Sequence, residues 1–166
     1  LADANRGKVV AAAGPRQLEY AATLSSVEID GATRDVVSLN FRDITERRAA
    51  EDRLLYLSRH DPVTGALTRS ALIEEAQARL SAGQALALVM LDLRRFRAIN
   101  DTLGHNQGDV LLRLVVSRLR NMGPDAVARL GGDNFALLAP AMDGERLAGF
   151  AESIAEWLSF PYQLDG

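Results

Sequence analysis

The sequence has no cysteine among its 166 residues. That excludes disulfide cross-links and thiolate metal sites, and it agrees with a reducing compartment without requiring one. A basic excess is also missing: 19 Lys and Arg stand against 22 Asp and Glu, a formal charge of -3. A chain so balanced lacks the positive field that holds a nucleic-acid backbone or an anionic membrane surface. Its longest unbroken apolar run, Ala85 to Leu91, is far too short to cross a bilayer. The amino terminus shows no signal-peptide succession, and it opens on Leu1, as expected of a segment of a longer protein. What remains is ordinary globular composition, 48% hydrophobic and 25% charged, with chain enough for one domain and a piece of another. A cytoplasmic protein making no nucleic-acid or membrane contact within this segment is the expectation.

Three zones follow one another without repeats or low-complexity tracts. In the first, to residue 43, Leu18, Tyr20, Ala22 and Leu24 alternate with smaller or polar neighbours, and so do Val37, Leu39 and Phe41. Asp30-Gly31 between them suits a tight turn, so an antiparallel hairpin is predicted, one that needs a partner surface. The second zone, 44–60, opens on Asp43-Ile44-Thr45-Glu46, a capping side chain followed by a carboxylate. There Ala50, Leu54 and Leu57 form a stripe among charged residues, which a helix could turn onto its own domain or onto a coiled-coil partner. The third zone reads as helix 70–80, a buried strand 85–91, helix 109–122, strands 126–130 and 135–139 around Gly131-Gly132, and helix 145–160. That order predicts an α/β (α+β) sandwich, helices covering an antiparallel-containing sheet.

Several residues invite chemistry. Asp92 follows the predicted strand, where open α/β sheets bind ligands, although a strand-ending Asp also caps turns. Gly131-Gly132-Asp133-Asn134 is an adequate hairpin turn by itself. Asn100-Asp101 and Gly104-His105 are, singly, ordinary loop punctuation.

Taken in order and at their spacing, these residues resemble the GGDEF domain family. Asp61-Pro62-Val63-Thr64-Gly65 with Arg69 is similar to its opening motif, with departures at Val63, Ala66 and Thr68. Leu91-Asp92-Leu93, Phe96, Arg97, Ile99-Asn100-Asp101, Gly104-His105 and Gly108-Asp109 match its central motif. Arg129-Leu130-Gly131-Gly132-Asp133-Asn134-Phe135 matches the naming motif at all positions but one. Upstream, the hairpin ending in Asp43-Ile44-Thr45-Glu46-Arg47 is similar to the last strands of a PAS sensor domain, and the helix after it resembles the signalling helix that joins PAS to GGDEF. The resemblance therefore implies PAS-like strands over 1–43, a linker helix over 44–60 and a GGDEF domain over 61–166, with a nucleotidyl-cyclase-like sheet.

The resemblance also implies a chemistry. Active members condense two GTP molecules into cyclic-di-GMP, using Mg²⁺ or Mn²⁺ to neutralise phosphates and activate the attacking hydroxyl. By residue-wise similarity Asp92, Asp133 and the carbonyl of Leu93 would be metal ligands, and Asp133 would also hold the general-base position. Asn100 and Asp109 match guanine-reading positions, His105 a substrate contact, and Arg97 the place of a phosphate-binding lysine.

Two departures fall on the metal side. Asn134 stands where active cyclases carry glutamate and brings no charge. Arg94 stands where a second aspartate is usual, and it either opposes a cation or turns to the triphosphate. The product-inhibition motif keeps its aspartate, Asp125, but Met122 replaces its arginine, leaving a vestigial site. In the family a further strand and helix follow the position of Gly166 and add phosphate-binding Lys and Arg; without them an open sheet edge is expected.

The leading expectation is a degenerate GGDEF module that binds GTP, dimerises through the linker helix and regulates a PAS-GGDEF protein, with a downstream EAL domain common in such proteins. An active diguanylate cyclase and a purely structural dimerisation module are the alternatives.

Overall fold

A computed structural model describes residues 5–11 and 14–164, which fall into two compact units, up to Leu55 and from Tyr56 onward. The first unit is an antiparallel meander of β1 (Asn5–Ala11), β2 (Gly14–Ile29) and β3 (Ala32–Asp43). The predicted hairpin is β2–β3. Asp30 and Gly31 both take positive φ, 52° and 73°, as the two central residues of a hairpin turn whose twist matches the strands. Strand β1 had no sequence signal; it lies beside β2 in register from Asn5↔Tyr20 to Ala11↔Gly14.

Helix α1 (Thr45–Arg59) starts from a tightly bonded corner. The carboxylate of Asp43 accepts from the Thr45 amide at 3.0 Å, from the Thr45 hydroxyl at 2.6 Å and from Arg16 at 2.7 Å. The Thr45 hydroxyl oxygen in turn accepts from the Gln17 amide at 2.9 Å. The Thr45 hydroxyl and amide bonds, then Arg16, lower the Asp43 pKa to about 2. No residue of α1 is buried, and Leu54, Leu55, Tyr56 and Leu57 are exposed.

The second unit contains α2 (Arg69–Ser81), β4 (Leu86–Asp92), α3 (Phe96–Leu103), α4 (His105–Asn121), β5 (Ala126–Gly131), β6 (Asn134–Pro140) and α5 (Gly144–Ser159). Thr68 caps α2 through the Ala71 amide, and Asp143 caps α5 through the Arg146 amide. The strands form an antiparallel sheet in the order β4-β6-β5, and Leu67 adds a single parallel bridge to Ala128 on the outer side of β5. Strand β6 is the centre: Phe135 through Ala139 are all buried. Its alternation sends Phe135 and Leu137 to one core with Leu112, Val115, Val116, Leu119 and Ile154, while Ala136 and Leu138 meet Leu72 and Ala128 beneath α2.

One expectation needs correction. The predicted strand is β4, but it is not wholly buried: among the described residues it pairs with β6 alone, and Leu88 and Met90 are 53% and 65% exposed. An unbroken apolar run cannot say which of its two faces is covered. Helix α3 was also unanticipated: Phe96, Ile99 and Leu103 fall at helical spacing, but Asn100-Asp101 among them and Gly104 after them read as loop punctuation. On α2 the spacing of Leu72, Ala76 and Leu80 predicts one buried face; Leu72 is buried and Ala76 half-buried, whereas Leu80 is exposed.

Candidate functional site

Strand register builds the first half of the site. The Leu93 amide donates to the Asp133 carbonyl at 3.1 Å, so Leu93 and Asp133 form a hydrogen-bonded pair. The next pair inward, Asp92↔Asn134, is then of the non-hydrogen-bonded kind, in which facing side chains stand closest. The Asn134 side-chain amide donates to Asp133 Oδ1 at 3.3 Å. Thus Asp92, Leu93, Asp133 and Asn134 meet at one end of the sheet. The Leu93 carbonyl already accepts from the Phe96 amide at 3.3 Å.

Past Leu93 the chain turns sharply. Arg95 sits at φ 62°, ψ 19°, a left-handed conformation uncommon for a side chain of its size, and α3 begins at the next residue. Arg94 and Arg95 are both exposed. Arg94 lines, with Asp92, Leu93, Phe96 and Tyr162, an apolar groove of about 600 Å³ between β4 and α5.

The second half lies where α3 turns into α4. Asn100 Oδ1 is buried and has no hydrogen-bond partner. It lies against Gly108: a Cβ built there would come within 1.8 Å of Asn100 Oδ1 and 3.3 Å of Phe96 Cζ. Only glycine lets the two helices approach so closely, and the next residue is the half-buried Asp109. An unsatisfied amide oxygen is an acceptor suited to an N–H donor. His105, at the first turn of α4, and Arg97, 95% exposed and 4.0 Å from Asp101, stand in solvent and are not tied to either half.

A third group secures the signature hairpin. Arg129 donates from Nη1 to Asp61 at 3.1 Å and from Nε to the Gly132 carbonyl at 2.8 Å. Asp61 also accepts from the Thr64 amide and hydroxyl at 2.9 and 2.7 Å. Burial pushes the Asp61 carboxyl up, but the Thr64 bonds and the Arg129 guanidinium outweigh it and hold the pKa below the usual carboxylate range. The motif residues were visible in the sequence, but their mutual bonding was not.

Asp125 lies at the far end of β5, about 20 Å along the strand from Gly131. Arg79 of α2 supplies the guanidinium that Met122 lacks, at 2.7 Å from Asp125. No spacing rule links residues 46 positions apart, so this pair had no sequence signal.

GGDEF domains generally use Mg²⁺ and bind GTP. Among the described residues no three His, Cys, Asp or Glu side chains come together as a metal cluster. The two carboxylates face an amide that donates to one of them, and a guanidinium follows two positions later. That donor set does not fit a tightly held divalent cation.

The sheet, the Gly-Gly hairpin and the strand-end carboxylates define the class. Residues 58–166 match the family described as "Diguanylate cyclase, GGDEF domain", and the chain belongs to it. The chain is 38% identical over 149 residues to an uncharacterised signalling protein of Caulobacter vibrioides, covering 82% of this chain and 18% of that one. It is 36% identical over 126 residues to MucR of Pseudomonas aeruginosa PAO1, a bifunctional diguanylate cyclase and cyclic di-GMP phosphodiesterase, covering 72% and 18%. A solved sensory box/GGDEF family protein from Caulobacter crescentus CB15 superposes with a TM-score of 0.56 at 34% identity, covering 65% of this chain and 74% of that one. The chain thus spans less than a fifth of the length of these two curated relatives. It is a cyclic-di-GMP signalling domain, and no helix among its described residues is long and apolar enough to cross a membrane.

Proposed function

We propose that this is a degenerate GGDEF module which binds GTP and acts as a regulatory domain instead of cyclising it. The observation that carries the reading is the asymmetry between the two halves of the site. Asn134 puts a neutral amide opposite Asp92 and a donor on Asp133, while Asn100 keeps a buried oxygen without a protein partner and Asp109 keeps its carboxylate. In this reading Asn100 and Asp109 read the base, Arg97 and His105 approach the phosphates, and Asp92, Asp133 and the Leu93 carbonyl keep the metal positions with too little charge to drive cyclisation.

The Asp43-Thr45 corner, the exposed apolar face of α1 and the sensory-box relative support PAS-like strands over 1–43, a signalling helix over 44–60 and the GGDEF domain over 61–166. Exposed Leu54 and Leu57 suit a homodimer through that helix. MucR's phosphodiesterase activity supports a downstream EAL domain in the whole, cytoplasmic protein.

Calorimetric titration with GTP in Mg²⁺, together with a product assay, tests this. Binding without cyclic-di-GMP formation is expected. Product lost on Asp133→Ala would establish an active cyclase instead, and absence of binding would leave a structural dimerisation module.

A further inference from the structure

Within the second unit the arginines divide into two kinds. Arg59 and Arg79 are engaged by carboxylates, Arg129 by Asp61 and a carbonyl, and Arg118 by three carbonyls. Arg94 and Arg95, like Arg69, Arg113 and Arg146, have neither kind of partner among the described residues, but they are the ones that follow directly on Asp92 and Leu93 at the strand end. Two adjacent guanidiniums left in solvent repel each other, and an anion arriving between them and the strand end relieves that repulsion. Arg95 holds its left-handed backbone, φ 62°, where the chain leaves the strand and α3 begins.

We propose that Arg94 and Arg95 take the charge-neutralising place of the divalent cation, so that the chain binds the polyphosphate of a guanine nucleotide without metal. The proposal deepens the GTP-binding reading above and rests on it for recognition of the base. A guanidinium pair can chelate phosphate oxygens bidentately, and unlike a cation it needs no carboxylate cage. The Asn134 amide then costs nothing, because no cation needs the missing charge, and the mismatch of the donor set with Mg²⁺ has a cause.

The test is titration of the 166-residue chain with GTP and, separately, inorganic tripolyphosphate, each in Mg²⁺ and in excess EDTA. Affinity for GTP in EDTA is expected within about threefold of that in Mg²⁺, and the R94A/R95N variant is expected to lose about tenfold or more in EDTA for both probes. Asn is chosen at residue 95 because it tolerates positive φ, and an unchanged melting temperature without ligand controls for folding. GTP binding that requires Mg²⁺, or that the double substitution leaves unchanged, overturns the proposal and spares the GTP reading. Tripolyphosphate bound through the arginines, with GTP held no tighter, overturns the guanine reading and spares the arginine site. No binding of either probe overturns both.

Discussion

Asp61 and Arg129, 68 positions apart in sequence, meet at 3.1 Å, and through Arg129 the turn after α1 is tied to the Gly132 carbonyl of the signature hairpin. The pair is largely shielded, with the Arg129 and Asp61 side chains 13% and 19% exposed, so its loss is expected to matter. Replacing Arg129 with Ala leaves the Asp61 carboxylate short of a donor and the hairpin carbonyl unpaired, at a cost of about 2 kcal/mol of stability. Lys at 129 keeps the charge but cannot fork between two acceptors, so it should recover only part. Urea unfolding of both variants checks this; a change within error for Arg129→Ala would deny the link.

Acid should release the same tie. The folded-state pKa of Asp61 lies below its unfolded value, and that of Asp43 is lowered to about 2 from 3.8. Groups depressed on folding contribute stability that is fully present above the unfolded pKa and is lost as pH falls through the folded one. Stability should therefore hold down to about pH 4 and decline between there and about pH 2. Asp61→Asn should flatten part of that decline in the second unit, read by hydrogen exchange or Trp157 fluorescence, while Asp43→Asn should leave the Trp157 signal unmoved.

Gly108 tests the base-reading half. A methyl there collides with Asn100 Oδ1, so Gly108→Ala must displace the amide or part the helices, a change expected to cost about 2 kcal/mol and to abolish GTP binding. Trimming the obstacle with Asn100→Gly in the same chain should return some stability without returning binding. If Gly108→Ala binds GTP normally, Asn100 does not read the ligand.

Asn134→Glu puts a carboxylate opposite Asp92 and beside Asp133. Like charges facing across strands are expected to destabilise the ligand-free chain by about 0.5 kcal/mol. Adding Mg²⁺ should then raise the melting temperature of the variant and not that of the native chain, and Arg94→Asp should enlarge the difference. Identical Mg²⁺ responses would show that Asn134 is not what weakens the metal side.

The elements were legible where a period or a turn dipeptide was strong. Asp30-Gly31 located the hairpin, and the stripe of Leu111, Leu114, Val115 and Leu119 located the buried face of α4, although Leu114 is only half-buried and Leu112 and Val116, fully buried, fell outside it. The site residues were legible as spaced motifs, but their pairing was not. That Asp92 faces Asn134 follows from β4–β6 register, which sequence separation does not encode. The partners of Arg79, Arg118 and Arg129 likewise depend on helix packing, because a long flexible side chain carries no spacing signature. Strand β1 was hidden because pairing with β2 defines it, more than any alternation of its own.

Arg118 holds the end of α5 from the neighbouring helix. Its guanidinium donates to the carbonyls of Trp157 at 3.1 Å, Phe160 at 2.7 Å and Pro161 at 2.5 Å, and stacks 3.7 Å from the Tyr162 ring centroid. Phe160, the capping residue, is extended and Pro161 has no N–H, so the last carbonyls of α5 receive no backbone capping bonds from these positions. Arg118→Ala is expected to cost about 1 to 2 kcal/mol and to fray α5 from its carboxyl end. Trp157 is the sole tryptophan and meets Phe160 edge-on at 6.1 Å, so its near-ultraviolet circular dichroism reports that turn directly. The signal should fall in the variant before global unfolding begins, whereas Arg118→Lys, able to reach one carbonyl but not three, should lie between. A Trp157 signal that survives Arg118→Ala intact up to the global transition would show that α5 does not depend on this clamp.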